Sequence, residues 1–167
     1  MQCGLSLGSN LGERIEALSS ARDSIIALQD ITLVAQSRVY ETEPVDVIEP
    51  HRDKPFLNAV IVVETTRTSS NVAGAMRTIE DSMGRKRTSD KNAPRLIDID
   101  LLYAESQVIR TPKLEVPHPR WHERRFVVQP LADIRPDLIL PGSARPVIEI
   151  LLSLPATPEV VLFAETW

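Results

Sequence analysis

Pro94-Arg95-Leu96-Ile97-Asp98-Ile99-Asp100-Leu101-Leu102 has the pattern of a strand that carries two carboxylates on one face. Side chains alternate across a strand, so Asp98 and Asp100 are expected to point one way and Ile97, Ile99, Leu101 and Tyr103 the other. The apolar side predicts a core and the acidic side predicts chemistry. Neighbouring carboxylates repel each other when ionised, and a bound cation offsets that repulsion. Oxygen-only donors favour Mg²⁺.

Just before this strand, Arg85, Lys86, Arg87, Lys91 and Arg95 stand against a single acid, Asp90, and Arg120, Arg124 and Arg125 form a second basic cluster. Beside an acidic pair, two such clusters fit a compact polyphosphate; a solvated basic loop is the other reading. The net charge of −4 gives no reason to expect a nucleic-acid partner, because a phosphate backbone is met by an excess of Lys and Arg. At 167 residues the chain has the length of one domain, 1–167, and needs no disulfides to hold a core. Its one cysteine, Cys3, cannot make an internal disulfide. Met1 to Asn10 lacks the features of a signal peptide, and no apolar run approaches the ~18 residues of a membrane span. The expectation is a soluble, cytoplasmic monomer with no membrane partner.

Upstream, Leu5-Ser6-Leu7 predicts a first strand ending at Gly8-Ser9-Asn10. Asn10 and Glu13 have the spacing of a capping box, and Leu11, Ile15, Leu18, Ile25 and Leu28 recur as in a helix of roughly sixteen to eighteen residues. Gly8 and Gly12 fit a turn and cap better than a phosphate loop, since neither glycine-rich phosphate motif is present. A second strand is expected from Ile31 through Tyr40, stopping at Glu43-Pro44. From there to Pro55 three prolines and five charged residues predict a mobile loop. Phe56 to Glu64 is the third strand. Thr68 to Asn71 cap a second helix striped by Val72, Ala75, Met76, Ile79 and Met83, with Gly84 at its end. With the acidic strand fourth, the order is β-α-β-β-α-β, an α+β, ferredoxin-like pattern with an antiparallel sheet and both helices on one face. C-terminal additions follow: a hairpin from Val108-Ile109 to Leu114-Val116, an irregular turn at Pro117-His118-Pro119, an extended Phe126-Val127-Val128, a helix from Pro146 to Leu154 and a final strand at Val160 to Phe163.

Magnesium with arginine is a phosphoryl-transfer set, because the metal neutralises bridging oxygens while guanidinium groups bind the others. His118 suits phosphate binding, general-base work or a satisfied turn, and spacing does not choose among them. No zinc spacing is present. Phe56 and Phe126 fit core packing or the two sides of a flat heteroaromatic ligand, whose edge Asn58 would meet with both a donor and an acceptor. A nucleotidyltransferase also pairs a Gly-Ser element with an Asp-x-Asp strand, although there the two lie close in sequence. An RNA-binding or ligand-sensing module would want a basic sheet face in place of Asp98 and Asp100.

Four motifs in order carry a family resemblance: Leu7-Gly8-Ser9-Asn10-Leu11-Gly12; Phe56-Leu57-Asn58-Ala59-Val60; Arg85 through Asp100; and Val116-Pro117-His118-Pro119-Arg120 with Arg124-Arg125-Phe126. The sequence resembles the 6-hydroxymethyl-7,8-dihydropterin pyrophosphokinases of folate biosynthesis, from Leu7 to about Pro141. That resemblance implies transfer of pyrophosphate from ATP to the pterin's hydroxymethyl group, with release of AMP. It implies two Mg²⁺ ions on Asp98 and Asp100, and Arg85 and Arg95 acting on the phosphates. Glu80, Arg87, Leu101, Lys113, His118 and Arg124 fall at its nucleotide positions, and Thr42, Pro44, Val45, Phe56, Asn58 and Phe126 at its pterin positions. Asn92, Pro119 and Glu43 depart from residues that some members carry.

Overall fold

The computed structural model describes residues 1–43, 54–84 and 95–167. Its elements, in order, are β1 (Gln2–Ser9), α1 (Arg14–Ile26), β2 (Ile31–Gln36), β3 (Val39–Thr42), β4 (Phe56–Thr65), α2 (Ser69–Ser82), β5 (Asp98–Ala104), β6 (Ile109–Thr111), β7 (Leu114–Val116), α3 (Arg125–Ile134), α4 (Val147–Ser153) and β8 (Val160–Ala164). The main sheet runs β5-β1-β4-β3-β8, with β2 also on β4, and its pairs are antiparallel. Helices pack on both faces, so the class is α+β. No helix among the described residues is long and apolar enough to cross a membrane.

Strand β4 sets up two cores. Leu57, Ala59, Ile61 and Val63 pack with α1 and α2, while Val60 and Val62 pack with α3 and α4. A strand buried on both sides needs apolar residues at consecutive positions, which the run from Ala59 to Val63 supplies. On β1, Leu5 and Leu7 join the first core, leaving Ser6 and Gly8 on the opposite face.

The acidic strand departs from simple alternation. Leu5 pairs with Leu101 but Gly4 pairs with Tyr103, so Leu102 is an extra residue in β5. This bulge turns Tyr103 to the face opposite Ile97, Ile99 and Leu101, and it enters the α3/α4 core beside Leu102. Its ring lies against Gly4, where an added Cβ would come within 2.2 Å of the ring.

Three further expectations are corrected. The expected second strand is two strands, β2 and β3, in line along one edge of β4. Between them Ser37 N donates to Val60 O at 2.9 Å, while its side-chain Oγ, in place of a backbone carbonyl, accepts from Val60 N at 2.9 Å. Helix α1 has 13 residues and no side-chain cap at Glu13, because Asn10 bonds elsewhere. Phe126-Val127-Val128 is helical. Val127, Val128 and Leu131 are buried in the second core, and that burial outweighs a helix penalty for valine of only a few tenths of a kcal/mol.

Helix α3 is tied to β3 through one carboxylate. Arg38 donates to both oxygens of Asp133, at 3.2 and 2.8 Å, and Tyr40 Oη donates to it at 2.9 Å. Burial, then the Asp133 bond, pushes the Tyr40 hydroxyl up to about 12. At the other end of the chain β8 pairs with β3, and Trp167 Nε1 donates to Ser37 O at 2.8 Å.

Candidate functional site

The uncovered end of the α3-side sheet face carries a cross-strand row. Asp98, Gly8, Asn58 and Tyr40 are register partners across β5, β1, β4 and β3, with Asp100 beside Ser6 and Thr42 beside Phe56. Above this row lies a cleft of about 160 Å³, lined by Thr42, Phe56, Asn58, Asp98, Asp100 and Phe126, among others. Arg95 and Arg124 line it too, and Ser6 and Gly8 form its floor. A second groove of about 350 Å³ runs past Glu80, Leu101, Lys113 and His118. Asp98 and Asp100 line both cavities.

In the cleft, buried Asn58 donates through Nδ2 to Thr42 Oγ1 at 2.9 Å. That bond orients the carboxamide, and a Cβ on Gly8 would stand 3.4 Å from Asn58 Oδ1. The Arg124 guanidinium stacks over Phe126 at 5.7 Å. Burial, then the neighbouring Arg120, lowers the proton affinity of Arg124. The cleft therefore offers aromatic faces, a fixed amide and a cation at one end, which suits a flat polar ring.

At the junction, Arg95 Nη1 donates to Asp98 Oδ2 at 2.7 Å, the pair being 21% and 25% exposed. Among the described residues no group of three or more His, Cys, Asp or Glu side chains gathers. Two carboxylates beside a groove fit Mg²⁺, which takes one or two carboxylates and completes its shell with phosphate oxygens and water.

Along the groove, Glu80 is 3% exposed and accepts from Ile99 N at 2.7 Å, joining α2 to the strand between its two aspartates. Arg77 donates to Lys113 O at 2.9 Å. His118 Nδ1 accepts from Arg120 N at 3.2 Å, so neutral His118 carries its proton on Nε2 and is a donor. Burial, then Arg124 and Arg120, lowers its pKa from 6.5 to about 4. The unfolded chain takes up this proton near 6.5 and the folded chain only near 4, so its contribution to stability is complete above 6.5 and lost as pH falls toward 4. His118→Gln is expected to flatten the acid-side fall of the urea midpoint between pH 6.5 and 4. An unchanged slope would remove His118 from that role.

Thr42, Phe56, Asn58, Phe126, Arg95, Asp98 and Asp100 thus meet at one cleft, with Arg124. Glu80, Leu101, Lys113 and His118 line the adjoining groove, where Leu101 is largely core. Arg85, Arg87, Pro44 and Val45 lie outside the described residues, as do most of the expected loop before Pro55 and the basic stretch before Arg95. Ser6, Gly8, Arg77 and Val127 were missed as lining residues. Ser6 and Gly8 face away from the buried Leu5 and Leu7, and the register with β5 sets them beside the aspartates.

Residues 4–136 match the model of the family described as 7,8-dihydro-6-hydroxymethylpterin-pyrophosphokinase. The chain is similar to the folic acid synthesis protein fol1 of Schizosaccharomyces pombe, at 37% identity over 153 residues. That match covers 91% of this chain but 20% of the yeast protein, so the chain spans about a fifth of that relative. It is also similar to the 2-amino-4-hydroxy-6-hydroxymethyldihydropteridine pyrophosphokinase of Pseudomonas aeruginosa, 36% identical over 151 residues, with 90% of each covered. Among solved structures, that of Plasmodium falciparum HPPK-DHPS with pteroate superposes with a TM-score of 0.70 at 13% identity, covering 90% of this chain and 42% of that one. That likeness is one of fold.

Proposed function

The chain belongs to the 7,8-dihydro-6-hydroxymethylpterin-pyrophosphokinase family, and from that premise we propose that it transfers the pyrophosphoryl group of ATP to 6-hydroxymethyl-7,8-dihydropterin, releasing AMP, as a step of folate biosynthesis. The hydroxymethyl oxygen forms a bond to the β-phosphorus, the bond from that phosphorus to the α–β bridging oxygen breaks, and the hydroxyl proton passes to solvent. One observation carries the reading: Asp98 and Asp100 line both the cleft beside Phe56 and Phe126 and the groove. A donor molecule in one cavity and an acceptor in the other would meet at the carboxylates.

In this reading Phe56 and Phe126 hold the pterin ring, and Asn58, oriented by Thr42, reads its edge. Pro44 and Val45 belong to the same subsite by resemblance. Glu80, Leu101, Lys113, His118 and Arg124 line or end the nucleotide groove, with Arg87 assigned there by resemblance alone. His118 acts as a donor to phosphate rather than as a base. Asp98 and Asp100 would hold two Mg²⁺ ions, which supply charge neutralisation on the triphosphate oxygens. Arg95, beside Asp98, is placed to follow charge as it moves to the leaving AMP, and Arg85 is assigned a like role. Positioning and electrostatic stabilisation then supply most of the acceleration. We further take residues 1–167 as one domain, with a ferredoxin-like core whose second strand is broken into β2 and β3, and later elements as additions.

Incubation with ATP, Mg²⁺ and the hydroxymethyl dihydropterin tests the reading. AMP should form in step with pterin diphosphate. Pyrophosphate in place of AMP would indicate nucleotidyl transfer, and no AMP above the pterin-free control would overturn the proposal.

A further inference from the structure

Asn10 follows β1 directly and is 5% exposed. Its Oδ1 accepts from Arg95 N at 2.8 Å, from a residue 85 positions away, and its own N–H donates to Arg95 O at 3.2 Å. Both main-chain groups of Arg95 are thereby held by a single residue. Gly12, at φ +66, gives the same turn a backbone conformation that other residues rarely adopt. On the other side Ile97 is fully buried. The backbone at Arg95 is fixed from both directions, while its side chain is 21% exposed and rests on Asp98.

We infer that Asn10 is a positioning residue for Arg95: the turn after β1 clamps the main chain from which the guanidinium swings. The inference rests on the pyrophosphokinase reading above. A cation that leaves Asp98 for a phosphate oxygen needs mobile torsions on a fixed Cα. If the Cα drifts, the guanidinium misses the charge that develops in the transition state, and a misplacement of about 1 Å costs on the order of 10²-fold in rate. An amide of this length supplies an acceptor that reaches across the turn to the Arg95 N–H. The Gly8–Gly12 segment thus shapes the cleft floor at one end and holds a catalytic arginine at the other.

A double-mutant cycle tests this. Asn10→Ala is expected to lower kcat about 30-fold, with KM for ATP and pterin changed less than about three-fold. In an Arg95→Ala background the same substitution should cost less than about two-fold. Asn10→Asp keeps the acceptor and should recover most of the lost turnover, and Asn10→Ser, whose shorter side chain reaches Arg95 N less well, serves as the cycle partner if the alanine variant does not fold. In the unmodified protein the Arg95 amide should exchange with solvent as slowly as the ladder amides of β5. Equal losses in both backgrounds, a loss confined to KM, an Asn10→Asp variant as poor as alanine, or a fast-exchanging Arg95 amide would each overturn the clamp. These outcomes are read against an unmodified protein that releases AMP. Its failure to do so would instead sink the pyrophosphokinase reading.

Discussion

Replacing Asp98 with alanine is expected to lower AMP release about 10³-fold at saturating Mg²⁺, with the fold intact. Asp98 is one of two carboxylates shared by the cleft and the groove, so its loss removes an oxygen donor from the place where both substrates would meet. The strand has little reason to suffer. Ile97 and Ile99 stay buried on the opposite side, and the partner guanidinium of Arg95 is exposed enough for water to replace the lost carboxylate. Breaking this partly buried ion pair costs on the order of 1–2 kcal/mol. Melting followed by circular dichroism should therefore move by only a few degrees, while the Mg²⁺ dependence of turnover is lost. Near-normal turnover at saturating Mg²⁺ would exclude a metal-holding role.

Arg95→Ala is expected to cost about 10³-fold in turnover and less than about three-fold in the affinity for either substrate. In the resting protein this guanidinium is engaged with Asp98 at 2.7 Å, so it adds little to ground-state binding of a ring seated between Phe56 and Phe126. In the proposed reaction its contribution would come when charge builds on the departing oxygen. Mg²⁺ titrations should keep their midpoint, which separates this variant from Asp98→Ala. Equal losses in pterin affinity and in turnover, measured by calorimetry and by AMP release, would assign Arg95 to binding instead.

Much of this site was legible from residue order. The parity of Asp98 and Asp100 against Ile97 and Ile99 needed no tertiary information, and neither did the stripe of α2 with Gly84 at φ +89. What escaped was set by contacts distant in sequence. Asn10 and Glu13 had the spacing of a cap, yet the Asn10 oxygen is taken by Arg95, a partner that no local pattern reveals. Phe126-Val127-Val128 carries strand-forming residues, and burial against Val60 and Val62 decides for helix. Tyr103 was assigned to the wrong face because counting by two cannot see an inserted residue. The place of Ser6 and Gly8 beside the aspartates depends on a register between strands far apart in the chain.

The extra residue in β5 has a consequence for how this chain can vary. Upstream of Leu102 the α3-side face of the strand is acidic and open; downstream, after one change of parity, that same face is apolar and covered by α3 and α4. One strand thus holds two addresses, and the hinge between them is a residue count rather than a residue type. Substitutions on either side can be tried independently. Shortening β5 by one position at the bulge would remove the change of parity, so that the Asp98–Asp100 face and the Tyr103 packing against Gly4 could no longer both keep their registers on β1.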